Sequence, residues 1–161
     1  MLNDEPETPG LGLPLIGQTA TNPFRDLVFP TDQVLDRNDP DVFQPAASGR
    51  PESALFGSVR TANYGKGLAA SFHEGVDIAA GQRDTAGRPQ DAVYAVADGA
   101  VAYVNAVAGN SNYGKYVVLI HTCPSGMVYT LYAHLMALSP GVIRGRAVQA
   151  GDVLGLSLIH I

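Results

Sequence analysis

Short runs of β-branched and aromatic residues, separated by turn residues, constrain this chain more than any other feature of its sequence. They recur about every 8–12 residues, a spacing typical of antiparallel sandwiches and barrels. The runs cover residues 93–96, 100–104, 115–121, 127–133 and 147–154. Asp98-Gly99 between the first two is a tight-turn signal. The sequence therefore predicts an all-β fold around an antiparallel sheet, with at most a turn at 135–139.

Residues 1–53 differ in composition from the rest of the chain and are expected to form an extended arm. Prolines interrupt them at positions 6, 9, 14, 23, 30, 40, 45 and 51, and a proline inside a helix removes a hydrogen bond. The apolar stretch at 24–35 is long enough to pack on a domain, so we expect the arm to cover the cleft or a sheet edge. The predicted organisation is an arm at 1–53, a domain at 54–155 and a tail at 156–161.

Composition excludes several classes of protein. Glycine (18) and proline (11) are too frequent among the 161 residues for a helical bundle. The net charge of −5 provides no basic surface for nucleic acid. A single cysteine, Cys123, excludes a disulfide framework. No apolar run approaches the ~18 residues of a membrane span, and the acidic start of the chain does not resemble an export signal.

The segment from Phe72 to Ile78 contains the clearest candidate metal ligands, His73 and Asp77. In a straight strand, four residues would hold their Cα atoms ~13 Å apart, too far for one ion. The backbone must therefore bend between them, and Gly75 stands where glycine would tolerate the required dihedral angles. The pattern H-x3-D alone is common, and a loop histidine beside a turn aspartate is the simpler interpretation.

The other histidines are less distinctive. His134 follows a strand-like run, where an imidazole can face a cleft and handle a proton, although a structural role is the commoner one. His121 is expected at the surface beside the turn at 123–126. A nucleophilic pair of Cys123 and His121 is conceivable because alternation puts both on one face of a strand. Nothing else here is typical of a cysteine protease.

Several segments together resemble one family. The segments are Phe56–Arg60, His73-x3-Asp77, Val96–Val101, Tyr113–Val118, Tyr132–Leu135 and Val148–Gly155. In this order and spacing they resemble the M23 (lysostaphin- or LytM-type) zinc metallopeptidases over roughly residues 55–155. The resemblance implies an all-β fold of the LytM type and a bound Zn²⁺, with His73 and Asp77 as ligands and His134 as a catalytic histidine. It also implies cleavage of peptide bonds in bacterial peptidoglycan, and hence a location in the cell envelope.

The sequence departs from the family pattern after Gly155. An H-x-H motif with the third zinc ligand is expected there, but the chain continues with Leu156–Ile161. A transposase-end sequencing adapter encodes this hexapeptide, so we expect a library-derived tail on a truncated gene and no ligand role for His160. As written, the chain is expected to be inactive, poorly soluble and weak in zinc affinity.

Two other functions remain open from the sequence. One is a non-catalytic LytM-like module that binds or activates a cell-wall hydrolase. Such modules lose ligands, whereas His73, Asp77 and His134 are present. The other is a phosphate-carrier domain of the phosphotransferase IIA type, with His73 or His134 as the carrier.

Overall fold

The structure of the protein, a computed structural model, describes residues 21–36, 38–63 and 68–158. Within these ranges the helices are three short 3-10 segments, at Pro40–Val42, Pro51–Ala54 and Ala108–Asn110. The strands are β1 (Val59–Asn63), β2 (Leu68–Phe72), β3 (Ala92–Tyr94), β4 (Gly99–Asn105), β5 (Lys115–Cys123), β6 (Gly126–Leu138), β7 (Ala147–Val148) and β8 (Val153–Ser157). The prediction of an all-β fold is confirmed.

Two antiparallel sheets organise the described residues. β1 and β2 form a two-stranded sheet, and the larger sheet has the order β3-β8-β6-β5-β4-β7. Its buried core is a cluster of mainly aliphatic side chains: Val93, Ala95, Val101, Val117, Leu119, Tyr132, Leu135, Val142, Val148 and Leu154. No helix in the described ranges is long and apolar enough to cross a bilayer.

The run at 147–154 is not one strand as expected but is divided between β7 and β8. Two other local predictions were wrong. The first was a tight turn at Asp98-Gly99, which does not connect two paired strands. In the structure, β3 pairs with β8 whereas β4 pairs with β5 and β7. The second was a turn at 135–139, where β6 instead continues to Leu138 and pairs with β8. Both errors concern strand pairing, which depends on residues far away in the sequence.

Gly99 is needed for close approach rather than for a turn. A Cβ atom at this position would lie 2.6 Å from the carbonyl oxygen of Ile120 and 2.8 Å from Nδ1 of His121. The ring of His121 is fully buried, and its Nδ1 lies 2.8 Å from the carbonyl oxygen of Asp98. β4 and β5 can therefore pack this closely only where position 99 has no side chain.

We expect Gly99→Ala to destabilise the protein by about 3 kcal/mol, the upper part of the usual cost of overpacking a core. The added methyl group meets a backbone carbonyl and a buried ring, and neither can move without disturbing the sheet. Gly109→Ala is the matched control, because nothing lies within 4 Å of its Cβ position. Urea unfolding of both variants measures the difference, and equal midpoints would contradict the close-approach argument.

The arm packs along the free edge of β3, as expected. The amide of Val28 donates to the carbonyl oxygen of Val96 (3.0 Å), and the amide of Tyr94 donates to the carbonyl oxygen of Pro30 (2.9 Å). The Asp32 carboxylate accepts hydrogen bonds from the amide of Ala92 (2.8 Å) and from the hydroxyl of Tyr94 (2.5 Å). Residues 28–32 thus cover a sheet edge that would otherwise expose unpaired backbone groups.

The predicted domain boundaries remain predictions. Residues 1–20 of the arm and 159–161 of the tail, including His160, lie outside the described residues. Two residues assigned to the tail lie in β8, where Leu156 pairs with Ala92 and Ser157 pairs with Leu135.

We expect stability to fall in alkaline solution partly because of Tyr94. Its hydrogen bond to Asp32 is the main cause that raises the pKa of its phenol above the ordinary 10.0. The unfolded chain therefore loses this proton at a lower pH than the folded chain. The resulting stabilisation is complete below pH 10 and is lost as pH rises through the folded pKa.

Tyr94→Phe removes this titration and one hydrogen bond. We therefore expect lower stability than wild type at pH 8 but a shallower decline above pH 10. Urea midpoints between pH 8 and 11.5 measure the two slopes. A variant as steep as wild type would contradict the assignment to Tyr94.

Candidate metal site

The loop after β2 brings His73 and Asp77 together. β2 ends at Phe72, and the chain bends back over the next five residues. Nε2 of His73 lies 3.4 Å from Oδ1 of Asp77. The bend that a shared ion requires is therefore present.

Gly75 does not cause the bend through unusual dihedral angles. It is absent from the glycines with positive φ, and a Cβ atom there would meet only Nε2 of His73, at 4.0 Å. The prediction that the bend needs dihedral angles special to glycine was wrong, since other residues can adopt the φ of Gly75.

Backbone hydrogen bonds from outside the loop hold both ends of it. At one end, the amide of His73 donates to the carbonyl of Ser58 (2.8 Å). At the other end, Asp77 donates to the carbonyl of Ala54 (2.9 Å) and accepts from the amide of Gln44 (2.9 Å). The last part of the arm is thus a structural support of the candidate site.

The spacing of the two side chains fits two ligands of one tetrahedral ion. Bonds of ~2.1 Å from zinc to nitrogen and oxygen place neighbouring ligand atoms about 3.4 Å apart. The separation between Nε2 of His73 and Oδ1 of Asp77 is 3.4 Å. It is longer than an ordinary N–H···O hydrogen bond of about 2.7–3.2 Å. Both side chains are partly exposed, His73 at 13% and Asp77 at 33%, so an ion could reach them from solvent.

Further polar groups contact the far sides of both candidate ligands. Oδ2 of Asp77 accepts a hydrogen bond from Nη2 of Arg60. Nδ1 of His73 lies 3.2 Å from the carbonyl oxygen of Leu55. A metal-bound histidine commonly donates its other ring N–H to a carbonyl group, which fixes the ring and raises its basicity.

His134 lies at a β-bulge with a left-handed backbone. Val117 pairs with Tyr132 and Lys115 pairs with Leu135, so β6 has one residue more than β5 in this interval. The φ of His134 is 54°, the one positive value for a non-glycine residue within the described ranges. Bulges of this kind redirect a side chain and are frequent near active sites, and the His134 side chain is exposed.

Tyr113 connects His134 to the loop that contains His73. Its carbonyl accepts from the amide of His134 (2.9 Å), and its hydroxyl donates to Oε2 of Glu74 (3.0 Å). The bond to Glu74 is the main cause that raises the pKa of the Tyr113 phenol above its usual value. One tyrosine thus joins the backbone of His134 to the side chain next to His73.

The structure does not place His134 in a metal cluster with the two candidate ligands. Across the described ranges, no three His, Cys, Asp or Glu side chains are close enough to hold one ion. The metal role of His73 and Asp77 and the catalytic role of His134 therefore remain predictions.

The expectation for His121 was wrong. It is fully buried, and its nitrogens lie 2.8 Å from the carbonyl oxygen of Asp98 and 2.8 Å from the hydroxyl of Thr130. Its ring also contacts that of Phe24, with centroids 4.9 Å apart. Both nitrogens are occupied, so His121 is not placed to act as a base for Cys123, which is itself buried.

Sequence analysis gave no role to Arg60 or Tyr113, although both lie in segments that resemble the family. Neither role had a signal in the sequence, because Arg60 is 17 residues from Asp77 and Tyr113 is 39 residues from Glu74.

Comparison with known proteins gives a match to a protein family. A search of curated proteins and a search of solved structures found no significant match. The sequence model of Peptidase family M23 matches residues 71–158, more than half of the 161-residue chain. This range contains His73, Asp77 and His134, together with β3 to β8. The chain belongs to Peptidase family M23.

Proposed function

We propose that the protein is a zinc-dependent endopeptidase that cleaves peptide bonds in bacterial peptidoglycan, and that it acts in the cell envelope. The observation that carries this proposal is the 3.4 Å separation between Nε2 of His73 and Oδ1 of Asp77, the edge of a tetrahedral zinc site. Peptidase family M23 supplies the reaction class. The choice of peptidoglycan rests on the resemblance of the motifs to lysostaphin- and LytM-type enzymes.

His73 and Asp77 would hold the ion through these two atoms. Bound zinc supplies Lewis acidity, which polarises a peptide carbonyl and lowers the pKa of water towards neutrality. The imidazole of His134 would take a proton from the attacking water or donate a hydrogen bond to the developing oxyanion. Its left-handed bulge fits this role, since backbone strain is often found at functional sites.

Apolar side chains beside His73 would contact a peptide substrate. Phe72 directly precedes this histidine and is 72% exposed. Val76 lies three residues after it and is 49% exposed. A peptide that lies over the end of β2 and the loop after it would contact both groups.

The test is an assay of the full-length gene product on purified peptidoglycan. We expect turbidity to fall with zinc and to stay constant with a chelator, and mass spectrometry to find newly cleaved peptides. Binding to peptidoglycan without cleavage, with zinc present, would instead favour the non-catalytic LytM-like module. Clearing that a chelator does not affect would contradict the metal mechanism.

A further inference from the structure

The guanidinium of Arg60 is held by hydrogen bonds to a backbone carbonyl as well as to a candidate ligand. Its Nε and Nη2 both donate to the carbonyl oxygen of Ser53, at 3.2 Å and 2.8 Å. Nη2 also donates to Oδ2 of Asp77. The Arg60 side chain is 32% exposed, and these contacts hold the edge of its guanidinium towards the carboxylate.

These contacts use both hydrogen atoms of Nη2. One is donated to Ser53 and the other to Asp77, and a guanidinium nitrogen of this type has only two. Nδ1 of His73 also lies 3.2 Å from Nη2, but no hydrogen atom remains for it to accept. These contacts therefore favour the tautomer in which Nδ1 carries the proton.

The acceptor for that proton is the carbonyl oxygen of Leu55, 3.2 Å from Nδ1. In the neutral Nδ1–H tautomer, Nε2 of His73 has a lone pair, and this nitrogen lies 3.4 Å from Oδ1 of Asp77. Two acceptors that face each other repel unless a cation lies between them. The hydrogen bonds of Arg60 and Leu55 therefore leave Nε2 of His73 and Oδ1 of Asp77 with free lone pairs, as a metal ion requires of its ligands.

We propose that Arg60 is a positioning residue that presets this pair of ligands. It holds Oδ2 of Asp77, so that Oδ1 faces Nε2 of His73, and its two committed hydrogen atoms keep the proton of His73 on Nδ1. This inference rests on the proposed function, because it assumes that the pair binds zinc. It assigns to Arg60 the orientation of the ligands and no contact with substrate.

The geometry of the guanidinium, and not its charge alone, is essential to this role. A positive charge beside a divalent ion opposes binding, so Arg60 would weaken the site if it acted only through charge. Lysine supplies the same charge as a single point and could not contact Ser53 and Asp77 through a fixed planar fork.

The first measurement is the zinc dissociation constant of the full-length protein, from competition with a chromophoric chelator. We expect Arg60→Gln to weaken binding about 10–100-fold, the usual effect of losing a group that orients a ligand. Arg60→Lys should weaken it nearly as much. Arg88→Gln is the matched control, because Arg88 pairs with Asp84 (2.7 Å) in another loop, and should bind zinc like wild type.

The second measurement, ¹⁵N NMR of the His73 ring in zinc-free protein at pH 8.5, separates positioning from a merely structural role. We expect the Nδ1–H tautomer in wild type and a mixture in Arg60→Gln, where the freed carboxylate can turn to accept a hydrogen bond from Nε2–H. If Arg60→Gln folds and keeps both the zinc affinity and the His73 tautomer of wild type, the role of Arg60 is overturned but the proposed function is not. Wild-type zinc affinity in Arg60→Lys would have the same consequence. If wild type binds no zinc, the proposed function is overturned as well.

Discussion

In the full-length protein, replacing Asp77 with asparagine should lower zinc affinity more than ~100-fold and abolish measurable hydrolysis of peptidoglycan. Loss of a group that only orients a ligand costs ~10–100-fold in affinity, and Asp77 is itself a candidate ligand. Asparagine keeps the shape of the side chain but provides no negative charge for a cation. It also removes the charge that Arg60 now pairs with.

The chain offers a matched control for this prediction. Asp84 also accepts a hydrogen bond from an arginine, Arg88, at 2.7 Å. Asp84→Asn therefore breaks a comparable ion pair away from the site and should leave activity and zinc affinity unchanged. Zinc titration and turbidity assays on both variants measure the comparison. Wild-type activity in Asp77→Asn would contradict the assignment of this residue as a ligand.

The two longest strands of this fold could be predicted from sequence because their residues carry a local signal. The run at 115–121 is rich in β-branched residues and lies within β5, and the run at 127–133 lies within β6. The turn at 123–126, with Pro124 and Gly126, connects them as expected. The order of the strands in the sheet could not be predicted, because pairing of β3 with β8 joins segments about 60 residues apart.

The candidate site shows the same division. The spacing of His73 and Asp77 is a local pattern, and the structure brings these two side chains together. The contacts of Arg60 with Ser53 and of Tyr113 with Glu74 depend on how separate segments pack. The burial of His121 also followed from tertiary packing, since Phe24 of the arm covers its ring. Such contacts have no signature in a single sequence.

Replacing His134 with glycine should separate activity from stability. The proposed proton transfer by this imidazole contributes about 10²–10⁴-fold to rate, so activity should fall by that factor. The backbone of His134 is left-handed, with φ of 54°, a conformation that costs an L-residue about 1–2 kcal/mol and glycine little. Glycine also loses more entropy on folding than other residues, roughly 0.5–1 kcal/mol relative to alanine.

His134→Ala is the matched variant, because it removes the same imidazole but keeps the Cβ atom responsible for the strain. We expect both variants to lose activity equally, and His134→Gly to be the more stable by up to about 1 kcal/mol, the strain relieved less the entropy lost. Urea unfolding and peptidoglycan hydrolysis on the same samples measure the two effects. If His134→Ala were more stable than His134→Gly, the backbone strain at position 134 would be smaller than the entropy that glycine loses on folding. If either variant kept full activity, His134 would have no catalytic role, and the bulge would serve only to join β6 with Tyr113 and Leu158, whose backbone groups bond to residue 134 at 2.9 Å and 2.8 Å.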